Sequence, residues 1–496
     1  MIGNPILTQV ERIKTAIRLI LPLKKRDQRP NLHSASLQRI KMPHLIQHSP
    51  VANRYLDLLG VLDWAHLPER NLERNWGQRT IPYAAFIAAY LVKLNEGQNS
   101  LGDVRIFLSE NPALTWLFGF PLAISKPEKG EIGIACNLPT TRHLTHMLRA
   151  LPNKVLQFLL EDTVHLIRAD LAKLGVQTGE CISLDTKHIL AWVKENNPKA
   201  YVETRFDKTQ QPSGDPDCKL GCKRRHNRRK PGSEPPSPMT PTQNPVPANA
   251  LAVGEFYWGY GSGVVVTKVP GWGEFVLAEM TQTFDQADVS YFFPLMAQTV
   301  ARLGCKPRFG TFDAAFDAWY VYDYFHRDDD PVAFAAVPFS EKGGYKAKGR
   351  QFSPEGLPKC AAGFPMPLQS TYHDMTVSII EHQRGKYVCP LLFPKRSGDP
   401  CPLNHKNWAK KGCTAMMPTS IGARLRYSLD RDGQAYKEIY KQRTAVERIN
   451  SQAKALGIER PYLRNGAAIA NQNTLIYILI NLRFLQRVHN HQSELD

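Results

Sequence analysis

Apolar residues recur at helical spacing through most of the first 175 residues, and the rhythm changes after that. YAAFIAAYLVKL (83–94) and LGDVRIFLSENPALTWLFGF (101–120) carry a three-to-four-residue period interrupted by Gly and Asn-Pro. LPTTRHLTHMLRALP (138–152) opens on a Pro-Thr-Thr cap signal and stops before Pro152, with Arg142, His143, His146 and Arg149 along its polar side. Two helices, a turn and a basic helix suit both a helix-turn-helix DNA reader and a plain basic surface. Residues 1–26 read as an amphipathic helix, because Glu11, Arg12, Lys14 and Arg18 interrupt the apolar run and no small-residue cleavage site follows.

From about residue 178 short apolar runs replace the helical period. ECISLDTKHILAWV (180–193) holds a first strand with Asp185 at its apolar run's end. EFYWGYGSGVVVTKV (255–269) and EFVLAEMTQTF (274–284), joined by a Pro-Gly-Trp-Gly turn, predict a hairpin. A helix over 288–304, a strand RFGTFD (308–313) ending in Asp313, a helix over 314–325 and a strand VAFAAVPF (332–339) follow. The order β-β-β-α-β-α-β is that of an RNase H-like core. The expected organisation is α/β, with an N-terminal all-helical DNA-binding domain (1–175) and the first part of the core at 178–345. A Cys-containing insertion (346–430) then precedes the last part of the core (431–490). Within the first part, residues 206–250 read as a disordered loop, basic at KRRHNRRK and then rich in Pro, Ser and Thr.

The segment YKQRTAVERINSQAK (440–454) supplies the remaining chemistry. At ~100° per residue Tyr440, Arg443, Glu447 and Lys454 fall within roughly 60° of one helix face. Ala445, Val446, Ile449, Ala453 and Leu456 make the opposite, core-facing stripe. If the first and fourth strands are neighbours, Asp185 and Asp313 lie side by side and Glu447 completes a set of three carboxylates. Such an oxygen-only set selects Mg²⁺ or Mn²⁺, and two such ions drive in-line displacement at phosphorus. Asp317, one helical turn beyond Asp313, is the alternative second aspartate; Asp313 is preferred because it ends the strand.

Composition adds one strong constraint. The 496 residues are 43% hydrophobic and 22% charged, ordinary values, but the net charge is +18. That excess calls for a polyanionic partner, nucleic acid before membrane. No apolar run reaches the ~18 residues a bilayer span requires. The basic run holds six Lys or Arg in eight positions, so Arg224, Arg225, Arg228 and Arg229 are candidate phosphate contacts. Trp319 and Trp408 are candidates to stack on an extruded base, Trp408 the better because it lies among lysines. Nine cysteines, an odd number, do not form a secreted disulfide framework, which points to a reducing cytoplasm. Cys360, Cys389, Cys401 and Cys413, with His405 nearby, could form a structural Zn²⁺ knuckle or remain buried thiols; none has C-x2-C spacing.

The pattern Y-x2-R-x3-E-x6-K at Tyr440, Arg443, Glu447 and Lys454 resembles the signature of one branch of the DDE transposases of bacterial insertion sequences. SLDTKHI and TFDAAFDAWYVYDYF are similar to the segments carrying their two aspartates, and DPDCKLGCK to a segment before their second strand. The likeness spans roughly residues 80–485. It implies that Asp185, Asp313 and Glu447 bind the metals while Tyr440, Arg443 and Lys454 grip DNA-end phosphates. It further implies cleavage at terminal inverted repeats, joining of 3′-hydroxyl ends to target DNA, a homodimer on that DNA and a nucleoid-associated enzyme. A catalytically inactive DNA-binding derivative and a metal-dependent structure-specific nuclease are the alternatives.

Overall fold

In the computed structural model, the described residues are 47–71, 80–124, 134–224, 254–339, 351–375, 379–404, 408 and 410–495. The N-terminal helix expected over 1–26, His405 and the basic residues Arg225, Arg228 and Arg229 lie outside them.

The helical period of the first half produces helices α1 (Pro50–Leu59), α2 (Tyr83–Asn95), α3 (Leu101–Glu110) and α4 (Pro112–Phe118). After a two-stranded hairpin, β1 (Leu122–Ile124) with β2 (Ile134–Cys136), come α5 (Thr141–Ala150) and α6 (Asn153–Lys173). The cap signal before α5 operates as read, since the Thr140 hydroxyl accepts from the His143 N–H at 3.2 Å. The helix-turn-helix reading does not hold in its simple form. A hairpin, not a three- or four-residue turn, joins α4 to the basic helix α5.

The sheet is mixed and has six strands: β3 (Cys181–Leu190), β4 (Lys219–Arg224), β5 (Gly254–Val269), β6 (Gly273–Thr283), β7 (Phe309–Thr311) and β8 (Phe334–Ala336). Strand β3 is central. It pairs antiparallel with β5 on one side and parallel with β7 on the other, and β7 pairs parallel with β8. The far edge of β5 is shared, with β4 along its first part and β6 along its second. The short edge strand β4 overturns the disordered-loop reading for the start of 206–250, which arose because Lys-Leu-Gly-Cys-Lys-Arg lacks an apolar alternation.

Both faces of the sheet are covered. Alternation along β5 sends Val265 into one buried cluster and Val264 and Val266 into the other. The first cluster lies under α7 (Phe292–Leu303) and α8 (Trp319–Phe325), and the second under α11 (Thr444–Ala455) and α12 (Gly466–Leu495). The second cluster also takes in α1–α6 residues from Ala52 to Leu160, so one core runs through the helical part and the sheet. Buried polar bonds cross the same boundary. Asn481 of α12 donates to Thr163 of α6 at 2.9 Å and exchanges two bonds with the Val276 backbone of β6.

The insertion folds as a small antiparallel sheet in the order β11 (Thr414–Pro418), β10 (Gln383–Val388), β9 (Leu368–His373). Helix α9 (Ile421–Ser428) returns the chain to the core, and α10 (Gln434–Tyr440) delivers it to α11. Among the described residues no helix is long and apolar enough to cross a membrane.

Candidate active site

Period-two geometry aims the first aspartate. Ile182 and Leu184 of β3 enter the cluster under α7 and α8, so Ser183 and Asp185 face the opposite side, towards α11. Ser183 confirms the direction by donating to the Gln442 carbonyl at 3.1 Å and accepting from Thr311 at 2.7 Å. Asp185 lies within the strand and not at its end, because β3 continues to Leu190 alongside β5. Asp313 follows β7 by two residues. Its carboxylate accepts from the Ala315 N–H at 2.7 Å and caps a single 3₁₀ turn, Ala314–Phe316. Parallel pairing of β3 with β7 brings the two aspartates to the same end of the sheet, close enough for the Asp313 charge to act on Asp185.

The segment carrying Tyr440, Arg443 and Glu447 is not one α-helix. Helix α10 ends at Tyr440, Lys441–Arg443 form a 3₁₀ turn, and α11 starts at Thr444. Ala445, Val446, Ile449 and Ala453 are fully buried, as the stripe predicts. Tyr440, Arg443 and Glu447 remain neighbours across the turn, and the Tyr440 ring stacks on Tyr436 at 5.6 Å. Lys454 stands apart. It pairs with Glu459 at 3.4 Å, and Glu459 also takes Lys187 at 2.5 Å.

Arg443 sits among the acids. Its Nη1 meets Glu447 Oε1 at 2.6 Å and its Nη2 stands 3.7 Å from Asp185 Oδ2, while its Nε–H is buried with no partner. Burial pushes the Asp185 carboxyl up to about 6; Arg443 opposes that shift, and Asp313 and Asp288 add to it. The same burial raises the Tyr440 phenol. Two further groups were not read from the sequence. Asn450, one turn past Glu447, donates to Asp185 Oδ2 at 3.1 Å, and Asp288 accepts from Thr186 at 2.7 Å. Asn450 was legible in principle, being on the polar flank of the Glu447 helix; Asp288 has no local signal.

Asp317 is committed elsewhere. Its fully buried carboxylate takes a bidentate bond from Arg426 of α9, at 2.9 and 2.7 Å, and a third bond from Tyr322.

The donor set fits a hard divalent cation. Asp185 and Asp313 offer oxygens, and Asn450 Oδ1 is buried beside Asp185 without a donor. Glu447 is turned to Arg443, and among the described residues no three of His, Cys, Asp or Glu are gathered tightly enough to hold a metal ion. Asp185, Asp313 and Asn450 could offer oxygens to a cation there, and Glu447 could join them only by leaving Arg443.

The other candidates disperse. Arg142 and Arg149 are exposed on α5, and Arg224 closes β4. Trp319 is half-buried between the core and the insertion with its ring 5.1 Å from His382, which makes it a packing residue. Trp408 is half-buried. The Asp-Pro-Asp segment is structural: Asp215 accepts from Tyr260 at 2.8 Å, and Asp217 caps α12 through the Gly466 N–H at 2.9 Å. Compared with known protein families and with curated proteins, the chain matches none.

Proposed function

We propose that this chain is a DNA transposase of the DDE type, built on an RNase H-like core, that cuts at the ends of its element and joins them to target DNA. One observation carries the reading. The central strand and its parallel neighbour bring Asp185 and Asp313 to one end of the sheet, facing the segment with Tyr440, Arg443 and Glu447. The strand order β6-β5-β3-β7-β8, three antiparallel strands followed by two parallel ones, supports the RNase H-like assignment.

In this reading Asp185, Asp313 and Glu447 would hold Mg²⁺ or Mn²⁺, which supplies an activated oxygen nucleophile and neutralises charge on the leaving oxygen. Asn450 fixes the Asp185 carboxylate. Arg443 leaves Glu447 for a phosphate oxygen, where its buried Nε–H gains a partner. Tyr440 lies beside it as a second phosphate contact. Lys454, 64% exposed, and the exposed arginines of α5 extend the contact along duplex DNA. Terminal inverted repeats are the cleavage sites and target DNA accepts the 3′-hydroxyl. Both displacements are in line, and joining two ends together calls for a homodimer on DNA. The site of action would be the cytoplasmic nucleoid.

The test is incubation of the full chain with Mg²⁺ and duplex carrying the DNA that borders its coding region. Strand cleavage at those borders followed by joined products supports the proposal. The Arg443–Glu447 pair favours a second reading, a DNA-binding derivative that no longer cuts. Binding without cleavage, unchanged by Asp185→Asn, would select it. Cleavage without joining would instead select a structure-specific nuclease.

A further inference from the structure

Among the described residues the insertion's buried cluster is small: Cys360, Met366, Tyr387, Ala415, Met417 and Ala423. Strand β9 is exposed along its whole length. Three short strands with so small an apolar core need a staple.

Four free cysteines from separate parts of this insertion lie around that cluster, spaced more widely than a bound metal ion would hold them. Cys360 and Cys389 are buried, and Cys401 and Cys413 are half-buried. Three of them open tight turns closed by a backbone bond back to the cysteine carbonyl: Gly363 to Cys360 at 2.9 Å, Leu392 to Cys389 at 3.1 Å and Asn404 to Cys401 at 2.9 Å. The first and third turns place Gly363 at φ 85° and Asn404 at φ 41°. The fourth cysteine follows Gly412, whose backbone packs so closely on Cys389 that an added Cβ would lie 3.3 Å from its sulfur. Cys413 itself packs against the cluster containing Cys360, and the Ala361 N–H is aimed at the Cys413 sulfur. Cys360, Cys389 and Cys401 all act electrostatically on Cys413. Packing alone does not explain cysteine at three turn positions and a fourth just before a strand, two of the four being half-buried.

We propose that Cys360, Cys389, Cys401 and Cys413 bind one structural Zn²⁺. Four thiolates without a carboxylate or open position are a closed tetrahedral set, and sulfur donors select zinc over Mg²⁺ or Ca²⁺. Binding releases the thiol protons to solvent and draws the loose cluster inward. Backbone N–H groups such as that of Ala361 stabilise the thiolate charge. The site lies one strand from α9, whose Arg426 clamps Asp317 next to the candidate active site, so the metal would hold the insertion against the core.

The test uses the full chain purified without a metal-affinity tag. Elemental analysis should find about one zinc per chain, retained by Cys305→Ser and lost from the double variant Cys389→Ser/Cys413→Ser. Because that variant can misfold, a second measurement uses the unmodified chain. Titration with an organomercurial should release zinc to a colorimetric chelator in step with modification of four thiols. A wild-type chain free of zinc after growth in zinc-supplemented medium would overturn the proposal. So would a double variant that keeps its zinc, or two disulfides in place of four thiols.

Discussion

Asp313 and Asp317 are four residues apart, and their partners separate their roles. Asp317 is buried against Arg426, so Asp317→Ala strands a guanidinium; the expected loss is about 3–5 kcal/mol of stability, read by chemical denaturation. Asp313 caps one turn beside Asp185, and Asp313→Asn keeps that cap. On the proposed function Asp313→Asn abolishes Mg²⁺-dependent cleavage, by well over about 100-fold, with little change in the unfolding midpoint. The sequence favoured Asp313 because it ends an apolar run, and the same run hid the tie between Asp317 and Arg426, which are far apart in the chain. Glu447 was legible from helical spacing, and its i,i+4 pairing with Arg443 persists across the 3₁₀ turn at 441–443. On the proposed function, Arg443→Gln frees Glu447 and removes a phosphate contact. DNA-end affinity should fall, and the salt slope of binding should drop by about 1, measured by anisotropy across ionic strength.

At the scale of elements, α11 and β6 show how the polar and apolar faces divide. Ile449 is fully buried under the sheet, so Ile449→Ala should cost about 2–5 kcal/mol while Glu447, on the opposite face, tolerates Gln. Glu279 of β6 is completely buried, accepts from Gln157 at 2.7 Å and from Thr474, and is pushed up to about 7 by that burial. Its folded value exceeds its ordinary 4.5, so its stabilising effect is full below pH 4.5 and is lost as pH rises through 7. Glu279→Gln should flatten the stability–pH curve across that window, measured by urea denaturation at each pH. Continuous apolar runs on either side of a Pro-Gly-Trp-Gly turn made β5 and β6 readable in the sequence. The insertion strands were not, because β9 and β10 mix charge, glycine and apolar residues without a period. Helix α9 docks through Gly422, where a Cβ would lie 2.3 Å from the Trp319 carbonyl, a close approach no pattern announces. Gly422→Ala should therefore loosen the insertion and cost about 1–3 kcal/mol.

Over the whole molecule, the +18 charge and the continuous core belong together. Residues from α2, α5 and α12 fill the same apolar cluster as the sheet, so the exposed arginines of α5 are held on a body that also carries the candidate site. The alternation of strands and helices told the order of the sheet; the shared core was not legible, because α12 reaches back across more than three hundred residues to bond Asn153 and Thr163. The proposed function rests most directly on Asp185, half-buried on the central strand and facing Arg443. The decisive measurement is therefore strand cleavage and joining by the full chain with Mg²⁺ on duplex bearing its own coding-region borders, wild type beside Asp185→Asn. Cleavage at the borders and joined products from the wild type, with neither from Asp185→Asn, is the predicted result. Equal behaviour of the two proteins would contradict the account.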